Sequence, residues 1–314
     1  MNRESFLSSS SNKWQRMQAI VERHPMLPQV DYVQQFKKLI WRRLLAENVL
    51  VFLLQYIGLM FSTLTPQTFP VWFATGTACA FTFLRGFSVL PGIWLGTFVA
   101  YYFSESGFLL ACGCATVFAL QAFLLVGLCY RFIYPTLVFY RKMTFVKFIL
   151  CSALLTAIVT VVLEMMCYFS LRVMMDPLQL WLQWWLANFN GMMVVAVALV
   201  ALDAFFPQIR SVKKDAALIM LFGLWLVLIV ALVLSESRLA IMLLALSTLP
   251  IIFVMSERLG WCGVVAANFL LALFLNLAAC LGAPLFAYDF MAVNLVYLQV
   301  VLCLEAVVGL YLAI

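Results

Sequence analysis

Apolar residues fill ten successive stretches of the chain, and short polar or charged segments separate one stretch from the next. Most stretches approach or exceed the roughly 20 residues with which a helix crosses the hydrocarbon core of a bilayer. The pattern therefore predicts an all-α fold, a polytopic integral membrane helix bundle of about ten transmembrane helices. Three stretches are so short that about eight crossing helices is the alternative. The predicted spans are residues 44–64, 69–84, 87–103, 108–132, 144–173, 180–202, 216–234, 239–255, 262–286 and 295–314.

The composition agrees with a membrane domain and excludes an ordinary soluble protein. Hydrophobic residues make up 66% of the 314-residue chain, charged residues make up 10%, and the mean hydropathy is +1.08. Soluble domains have about 45–50% apolar and about 25% charged residues. A single packed core surrounded by water does not accommodate so much apolar surface, so much of that surface is expected to face lipid.

Positive charge is distributed unevenly between the predicted turns. If the amino terminus lies inside, all of the 19 lysines and arginines except Arg172 and Arg238 fall on the inner side. Because positive charge is retained on the cytoplasmic side, the pattern predicts that both termini are cytoplasmic. Basic residues beside membrane spans attract anionic headgroups. The lipid bilayer is therefore a predicted partner, and nucleic acid is not.

The one long polar segment is predicted to be a cytoplasmic basic leader, residues 1–43, ahead of a transmembrane domain at residues 44–314. From Asp31 onward, apolar residues such as Val33 and Phe36 recur at helical spacing, and basic residues take the other face. Asp31 is positioned to cap this helix. The pattern predicts an amphipathic helix in the inner interface. Membrane anchoring and contact with a protein partner are the two alternatives for the leader.

The predicted spans lack the residue combinations of enzymes and metal sites. The one histidine, His24, lies in the leader, which excludes histidine ligands and a Ser-His-Asp triad within the membrane. Most of the nine cysteines lie inside apolar stretches, where cysteine serves as a small hydrophobic residue. The sequence contains no phosphate-binding loop and no dinucleotide-binding turn. We therefore expect no enzymatic activity, no catalytic residue, no metal site and no cofactor.

Three carboxylates lie within the predicted spans. Glu47 is near the inner end of the first span, close enough to water for simple solvation. Glu164 and Glu305 lie deeper, where a charge costs several kcal/mol unless it is paired, protonated or hydrated. Both are therefore candidate ligand-binding residues. A hydrogen bond from a protonated side chain to a neighbouring helix is the alternative for each.

The sixth span combines amide and aromatic side chains. In hydrocarbon, Asn188 and Asn190 need hydrogen-bond partners, either on a neighbouring helix or in a hydrated pocket. Asn188 is predicted to line a ligand site, whereas the role of Asn190 stays open. Trp181 and Trp184 lie near the outer end of this span, where tryptophans commonly form an interfacial belt.

Small residues at regular spacing predict close helix packing. In the third span Pro91 starts a helix in which Gly92 and Gly96 lie four residues apart, so that a neighbouring helix can approach closely. The second span is similarly slim around Gly76. We expect these two short helices, joined by a tight turn after Arg85, to pack together as a hairpin. The predicted packing positions are Gly76, Pro91, Gly92, Gly96, Gly191, Pro250, Gly282 and Pro284.

An ordered series of motifs resembles a known family. The second and third spans read V-W-F-A-T-G-T-A-C-A-F-T-F-L-R-G-F-S-V-L-P-G-I-W-L-G-T-F at residues 71–98. Later pieces follow in order, namely W-W-L-A-N-F-N-G at 184–191, L-P-I-I-F-V-M-S-E-R-L-G at 249–260, G-A-P-L-F at 282–286, and Gln299. Together they resemble the membrane-associated sensor domains of type one (MASE), over about residues 44–314.

The resemblance implies a sensory or scaffold protein of the bacterial inner membrane and extends the set of candidate ligand-binding residues. Its signature motif contributes Trp72 and Arg85, which join Glu164, Asn188 and Glu305. The chain departs from the family pattern at Asn188, where aspartate is usual. Because an amide does not titrate, proton sensing at this position is not expected.

The resemblance also suggests partners. Family members usually carry a histidine kinase, a diguanylate cyclase or a phosphodiesterase after the final helix, whereas this chain stops at Ile314. We expect a stand-alone module, and a fragment of a longer receptor is the alternative. Such a module binds a small-molecule ligand or a membrane partner. It relays the event by helix repacking to a separate protein, such as a kinase, a diguanylate cyclase or a transporter.

A secondary transporter of a small organic solute is the competing hypothesis. Pro250, Gly282 and Pro284 interrupt the apolar stretches, and polar residues such as Asn268 and Asn276 lie within them. Both features are typical of a substrate site near the bilayer midplane. An intramembrane enzyme is a third class, but the chain lacks a credible pair of nucleophile and base.

Overall fold

The computed structural model describes residues 32–63, 69–104, 107–132, 141–171, 176–202, 216–233, 239–281 and 291–314. Within these ranges the regular secondary structure is helical, and the chain there contains no strand. A 3₁₀ turn, Phe87–Val89, precedes α3, and a π-helical turn, Gly191–Ala196, continues α6. The helices are α1 Tyr32–Thr63, α2 Phe73–Arg85, α3 Leu90–Phe103, α4 Phe108–Phe132, α5 Lys142–Leu171, α6 Pro177–Asn190, α7 Ala216–Val233, α8 Leu239–Cys280 and α9 Met291–Ala313.

The chain divides into two units, Met1–Leu45 and Ala46–Ile314. In the first unit the described residues are 32–45, and they form the beginning of α1. The predicted cap Asp31 lies outside the described residues. So do two predicted packing positions, Gly282 and Pro284.

Six helical segments of the described chain are long and apolar enough to cross a membrane. Two further apolar helices, Phe87–Phe103 and Met220–Val233, are shorter, and α2 has only 13 residues. The predicted number of about ten spans therefore rests partly on helices below the usual crossing length. The six segments are Trp41–Met60, Phe108–Phe132, Lys142–Met166, Pro177–Leu202, Gly260–Cys280 and Leu295–Ala313.

Helix α8 reverses direction at Gly260. This residue has a positive φ of 61° and a ψ of −158°, values that interrupt the helix. A Cβ atom added to Gly309 of α9 would lie 2.5 Å from Ile252 Cγ2 and 2.8 Å from Val264 Cγ1. A straight helix would separate those two residues by roughly 18 Å. The chain must therefore fold back between them, and α8 consists of a first arm, residues 239–259, and a second arm, residues 261–280.

Pro250 lies inside the first arm of α8, and the helix continues through it. The reversal instead occurs at Gly260, a residue whose lack of a side chain permits the positive φ. Pro91 has a different place, since it lies in the first turn of α3. A proline is tolerated there because the first N–H groups of a helix have no helical partner.

Helix α2 lies in the interior of the bundle. It packs against α4 and against the π-helical turn that follows α6, whereas α3 packs mainly against α4. α5 contacts α4 and α6, and α9 contacts α6 and α8. In the span Pro177–Leu202, which contains α6, 78% of the most apolar part is buried, against 50% or less for Phe108–Phe132 and Lys142–Met166. α2 and α6 are thus the elements on which a buried site can be built.

The glycines of α2 and α3 face different neighbours, which corrects the expectation of a tightly packed hairpin. A Cβ on Gly92 would lie 2.5 Å from the Asn48 carbonyl oxygen of α1, and one on Gly96 would lie 2.7 Å from that of Phe52. Gly76 of α2 instead faces the Gly191 carbonyl oxygen at the end of α6. Spacing shows that a helix face is slim, but it does not show which helix covers that face.

Candidate functional site

A short segment, residues 69–72, leads into α2 and is buried within the bundle. Trp72, the N-cap residue of α2, has extended dihedral angles, φ −89° and ψ 92°, and makes no side-chain cap hydrogen bond. In hydrocarbon, backbone groups outside a helix have to find partners within the protein. Side-chain amides of three other helices meet this requirement.

Two of these amides bind the first two carbonyl groups of the segment. Gln299 Nε2 of α9 donates to the Phe69 carbonyl oxygen at 2.9 Å and to the Gln183 carbonyl oxygen at 3.0 Å. Asn190 Nδ2 of α6 donates to the Pro70 carbonyl oxygen at 3.4 Å and to the backbone carbonyl oxygen of Gln299 at 2.9 Å. The segment is therefore tied to both α6 and α9.

The third amide, Asn276 of α8, pairs with the backbone of Val71. Its Nδ2 donates to the Val71 carbonyl oxygen at 2.6 Å, and its Oδ1 accepts from the Val71 N–H at 3.1 Å. This pairing satisfies both polar backbone groups of one residue, as a neighbouring strand would. The Trp72 N–H donates to the Ala187 carbonyl oxygen at 2.9 Å. We call residues 69–72 together with Asn190, Asn276 and Gln299 the amide latch.

The ring of Trp72 contacts aromatic rings of two other helices. Its centroid lies 5.3 Å from that of Phe118 in α4 and 6.0 Å from that of Trp184 in α6, both in edge arrangements. One turn further along α4 and α6 are Gln121 and Asn188. Gln121 Nε2 donates to Asn188 Oδ1 at 3.0 Å. The start of α2 thus lies beside a pair of amides that link α4 to α6.

Several buried polar atoms around this pair have no hydrogen-bond partner within the described part of the chain. They are Trp72 Nε1, Thr75 Oγ1, Gln121 Oε1 and Asn188 Nδ2. A buried polar group left unpaired costs about 1–3 kcal/mol. Such a cluster calls either for ordered water or for a polar molecule that binds there. We call Trp72, Thr75, Phe118, Gln121, Trp184 and Asn188 the seam.

Ser152 of α5 lies at the level of the seam. Trp185 Nε1 of α6 donates to the Ala153 carbonyl oxygen of α5 at 3.0 Å, and the two helices run antiparallel. Asn188 is almost one turn beyond Trp185, so it lies beside the turn that precedes Ala153. Ser152 belongs to that turn, and its buried Oγ has no partner among the described residues. Four helices therefore bring unpaired polar atoms to one region.

A cavity of about 30 Å³ lies one turn beyond the seam along the same helices. Its lining is apolar and includes Cys79 of α2, Leu125 of α4 and Ala196 of α6. Cys79 lies one turn after Thr75 of the seam, and Leu125 lies one turn after Gln121. The cavity has room for one or two water-sized groups and is far smaller than the pockets that hold metabolites. A ring-sized molecule enters this region only if the helices separate.

One comparison with known proteins decides the family. The MASE1 family model matches residues 44–314, which is most of the chain. The chain is a member of the MASE1 family. MASE1 is a family of membrane sensory domains, and this agrees with a membrane-embedded helical bundle. Searches of curated proteins and of solved structures returned no match.

In this MASE1 chain, two of the five predicted ligand-binding residues come together. Trp72 and Asn188 both belong to the seam, on α2 and α6. Arg85, Glu164 and Glu305 lie elsewhere in the bundle, so the five residues do not form a single site.

Arg85 lies at the end of α2, where it pairs with α1. Its Nε is 3.7 Å from Glu47 Oε1, and both side chains are partly exposed. Next to this pair, Asn48 Nδ2 donates to the Ser88 carbonyl oxygen at 3.0 Å, and Asn48 Oδ1 accepts from the Gly92 N–H at 2.8 Å. In this MASE1 chain Arg85 therefore takes part in holding the connection between α2 and α3 against α1.

Glu164 ends a buried polar stripe on α5, in which Ser152, Thr156 and Thr160 precede it at four-residue intervals. The hydroxyl groups of Thr156 and Thr160 donate to carbonyl oxygens in the preceding turn of the same helix. Glu164 Oε1 is buried and has no hydrogen-bond partner in the described chain. The stripe begins beside the seam at Ser152 and leads away from it along α5.

Glu305 lies on α9 and faces the first arm of α8. Its side chain is fully buried, and Oε1 accepts a hydrogen bond from the hydroxyl group of Thr248. The second oxygen, Oε2, has no partner among the described residues. This carboxylate is thus separate from the seam.

Thr75, Phe118 and Gln121 are the seam residues that sequence reasoning missed. Of these, Gln121 carried a signal in the sequence. It is the one amide in the apolar stretch 108–132, and a lone polar residue in such a stretch is a reason to suspect function. Asn276 and Gln299 were named, but nothing in the sequence assigned them to the segment before α2. Within the described residues, no group of three or more His, Cys, Asp and Glu side chains is arranged to hold a metal ion.

Proposed function

We propose that this MASE1 chain is a sensory module of the bacterial inner membrane in which a small molecule binds at the seam and changes helix packing. The observation that carries the proposal is the double role of Trp72. Its ring contacts Phe118 and Trp184 in the seam, and its backbone directly follows the residue held by Asn276 in the amide latch. The module acts by recognition, without catalysis and without a cofactor.

The chemistry of the seam favours a small uncharged ligand that carries a donor and an acceptor side by side. Gln121 Oε1 needs a donor and Asn188 Nδ2 needs an acceptor, and a primary amide supplies both. The aromatic rings of Trp72 and Trp184 favour a flat apolar body on the ligand. Trp72, Thr75, Gln121 and Ser152 are not ionisable near neutral pH, so nothing among them calls for a charged ligand.

The size of the cavity links binding to movement. The cavity next to the seam, at about 30 Å³, does not hold an aromatic ring. Such a ligand therefore binds a state in which α2, α4 and α6 are further apart. A ligand that prefers this state shifts the equilibrium toward it by its difference in affinity. Binding and helix repacking are therefore the same event.

The amide latch provides the route from the seam to the final helix. Asn276 and Gln299 hold residues 69–72 from α8 and α9, so a displacement of Trp72 strains contacts with both helices. At the far end of α9, Lys142 Nζ lies 4.9 Å from the centre of the Tyr311 ring. We propose that the change in α9 is passed to a cytoplasmic signalling protein, for which a kinase, a diguanylate cyclase and a transporter are the candidates.

We further propose that ten helical segments cross the membrane and that both termini face the cytoplasm. The division of α8 into two arms supports the number ten, since each arm is a separate helical segment. Basic residues support the orientation. The helix ends that carry basic residues contact other helix ends, so these ends lie on the same side of the bundle. The Tyr130 hydroxyl donates to the Phe83 carbonyl oxygen at 3.3 Å, next to Arg131 and Arg85, and Lys142 meets Tyr311. Positive charge marks the cytoplasmic side.

Reporter fusions after Ile314 test the orientation. A fluorescent protein that folds only in the cytoplasm is expected to be bright, and alkaline phosphatase at the same position is expected to be inactive. The opposite pair of results would place the end of α9 outside and contradict the proposed relay.

Thermal unfolding of the purified protein tests the ligand class. Benzamide, an aromatic primary amide, is expected to raise the unfolding midpoint in a saturable manner, whereas ethylbenzene, which lacks the donor and the acceptor, has no saturable effect. The benzamide effect is expected to vanish in Asn188→Leu and to persist in Glu164→Gln, whose buried carboxylate lies outside the seam. Absence of any saturable shift across a panel of small primary amides would reject the seam as an amide-binding site.

Transport of a small solute is the second candidate function. The observation that favours it is the fully buried carboxylate of Glu305, which lies between α9 and the first arm of α8. Intramembrane carboxylates commonly mark substrate or ion pathways. Uptake of a labelled solute into proteoliposomes, lost in Glu305→Gln, would favour transport over sensing.

A further inference from the structure

A second group of buried polar side chains lies between α9 and the two arms of α8, away from the seam. Thr248 of the first arm and Glu305 of α9 are both fully buried and are hydrogen-bonded to each other. Asn268 of the second arm is 2% exposed. Helix α9 and the two arms of α8 thus each contribute one of these buried polar side chains.

The register of the helices brings the three side chains to one level. Gly309 of α9 faces Ile252 of the first arm and Val264 of the second arm. One turn away, Glu305 meets Thr248, which shows that α9 and the first arm run in parallel. The second arm runs in the opposite direction, so one turn from Val264 toward Glu305 leads to residue 268. Residues four apart share a helix face, and Asn268 therefore faces the same interface as Val264.

The polar atoms of this group are only partly satisfied. Glu305 Oε2, Asn268 Oδ1 and Asn268 Nδ2 are buried and have no hydrogen-bond partner within the described ranges. No lysine or arginine in those ranges forms an ion pair with Glu305. A carboxylate in hydrocarbon without a compensating positive charge is strongly disfavoured. The carboxyl group of Glu305 is therefore either protonated or balanced by a bound positive charge, and the neighbouring oxygen atoms favour the second.

We propose that Thr248, Asn268 and Glu305 bind a monovalent alkali cation, with sodium as the reference ion. A carboxylate, an amide oxygen and a hydroxyl group are the hard oxygen donors that such ions prefer, and they come from three helices that an ion would hold together. A single carboxylate balances one positive charge, which favours a monovalent over a divalent ion. The site lies where the reversing helix α8 meets α9, so its occupancy stabilises that packing. This proposal is independent of what binds at the seam.

The test uses the purified full chain in detergent at constant ionic strength, with choline chloride replaced stepwise by sodium chloride. The unfolding midpoint is expected to rise by about 3 °C or more and to saturate, because an ion that binds only the folded state stabilises it by mass action. Thr248→Val and Glu305→Gln are expected to abolish the rise. Glu164→Gln, which alters the other deeply placed carboxylate, is expected to retain it.

Three outcomes would overturn the proposal. The first is a wild-type midpoint that does not depend on sodium. The second is a sodium effect that survives in both Thr248→Val and Asn268→Leu, variants that keep Glu305. The third is a midpoint that rises on acidification and never with sodium, which would mean that Glu305 is held protonated. If Glu305→Gln does not fold, the sodium dependence of the Thr248→Val and Asn268→Leu variants still tests the proposal.

Discussion

The amide latch and the seam are neighbouring groups of buried amides that differ in what their nitrogen atoms bind. In the latch, the amide nitrogens of Asn190, Asn276 and Gln299 all donate to backbone carbonyl oxygens. Asn276 Oδ1 also accepts from a backbone N–H, whereas Asn190 Oδ1 and Gln299 Oε1 have no partner in the described chain. In the seam, one hydrogen bond joins Gln121 to Asn188, and the outer atoms of both amides have no partner in the described chain. Amides whose nitrogens bind the backbone fix a geometry. The pair in the seam instead presents both an unpaired donor, Asn188 Nδ2, and an unpaired acceptor, Gln121 Oε1, to a ligand.

The comparison separates a structural role from a functional one within a few residues. Trp72 belongs to both groups, so the fixed part and the responsive part of the molecule meet at one side chain. Four variants, taken from the largest expected effect to the smallest, test this division.

Removing an amide of the latch is expected to have the largest effect. Asn276→Leu leaves the N–H and the carbonyl oxygen of Val71 unpaired in the interior, which is expected to lower the free energy of unfolding by about 2–5 kcal/mol. The measurement is denaturant unfolding in sodium-free buffer. Asn268→Leu on the same arm of α8 is the matched control, with a change within about 1 kcal/mol, because its amide has no protein partner in the described chain. Equal losses in both variants would remove the distinction between bonded and unpaired amides.

The second-largest effect is expected when a side chain is added where α2 and α6 approach each other closely. In Gly76→Ala the new methyl group would lie 2.5 Å from Val195 Cβ and still closer to the Gly191 carbonyl oxygen. Overpacking of this kind costs about 1–3 kcal/mol, which thermal unfolding can measure. Gly127→Ala in α4 is the control, because nothing lies within 4 Å of its added Cβ. A Gly76→Ala protein as stable as the Gly127 variant would mean that α2 does not approach α6 so closely.

Replacing both amides of the seam is expected to leave stability nearly unchanged. Gln121→Met combined with Asn188→Leu removes both partners of one hydrogen bond and their unpaired atoms, so the free energy of unfolding is expected to stay within about 1 kcal/mol of wild type. The response to benzamide is expected to disappear. A double variant that unfolds as readily as Asn276→Leu would show that the seam is structural.

The smallest effect is expected at Arg85, one of the three predicted ligand-binding residues that lie outside the seam. Arg85→Gln breaks a pair with Glu47 in which the arginine side chain is 34% exposed. Such partly exposed pairs contribute about 0.5 kcal/mol or less. Unfolding and benzamide titration are both expected to resemble wild type. Loss of the benzamide response in this variant would mean that Arg85 contributes to ligand binding.

The periodicity of apolar residues was sufficient to predict the helices, but it was not sufficient to predict their neighbours. Each predicted stretch contains a helix, because the hydrocarbon core requires backbone groups to be bonded within the segment. The predicted span 69–84 was wrong at its start, since residues 69–72 precede the helix, which begins at Phe73. The glycines at 92 and 96 predicted a close neighbour, which the structure identifies as α1. Which helix approaches depends on the whole packing arrangement and is not encoded in the spacing of one face.

The candidate site was predictable only in part. Trp72 and Asn188 stood out through a motif and through polarity in an apolar span. Their relation to Gln121 depends on a contact between residues 67 positions apart, which no local pattern reveals. The reversal at Gly260 was anticipated as a turn between two spans. That α9 touches both arms beside that turn follows only from the structure.

The most direct test of the relay from the seam to the helices of the latch is fluorine NMR of the protein with its nine tryptophans replaced by 5-fluorotryptophan. Signals are assigned by single Trp→Phe variants, and benzamide is then titrated. The account predicts that Trp72 and Trp184 in the seam and Trp261, which begins the second arm of α8, shift with the same concentration dependence. Shifts confined to Trp72 and Trp184 while Trp261 stays constant would mean that binding is not passed through the amide latch, and would contradict the account.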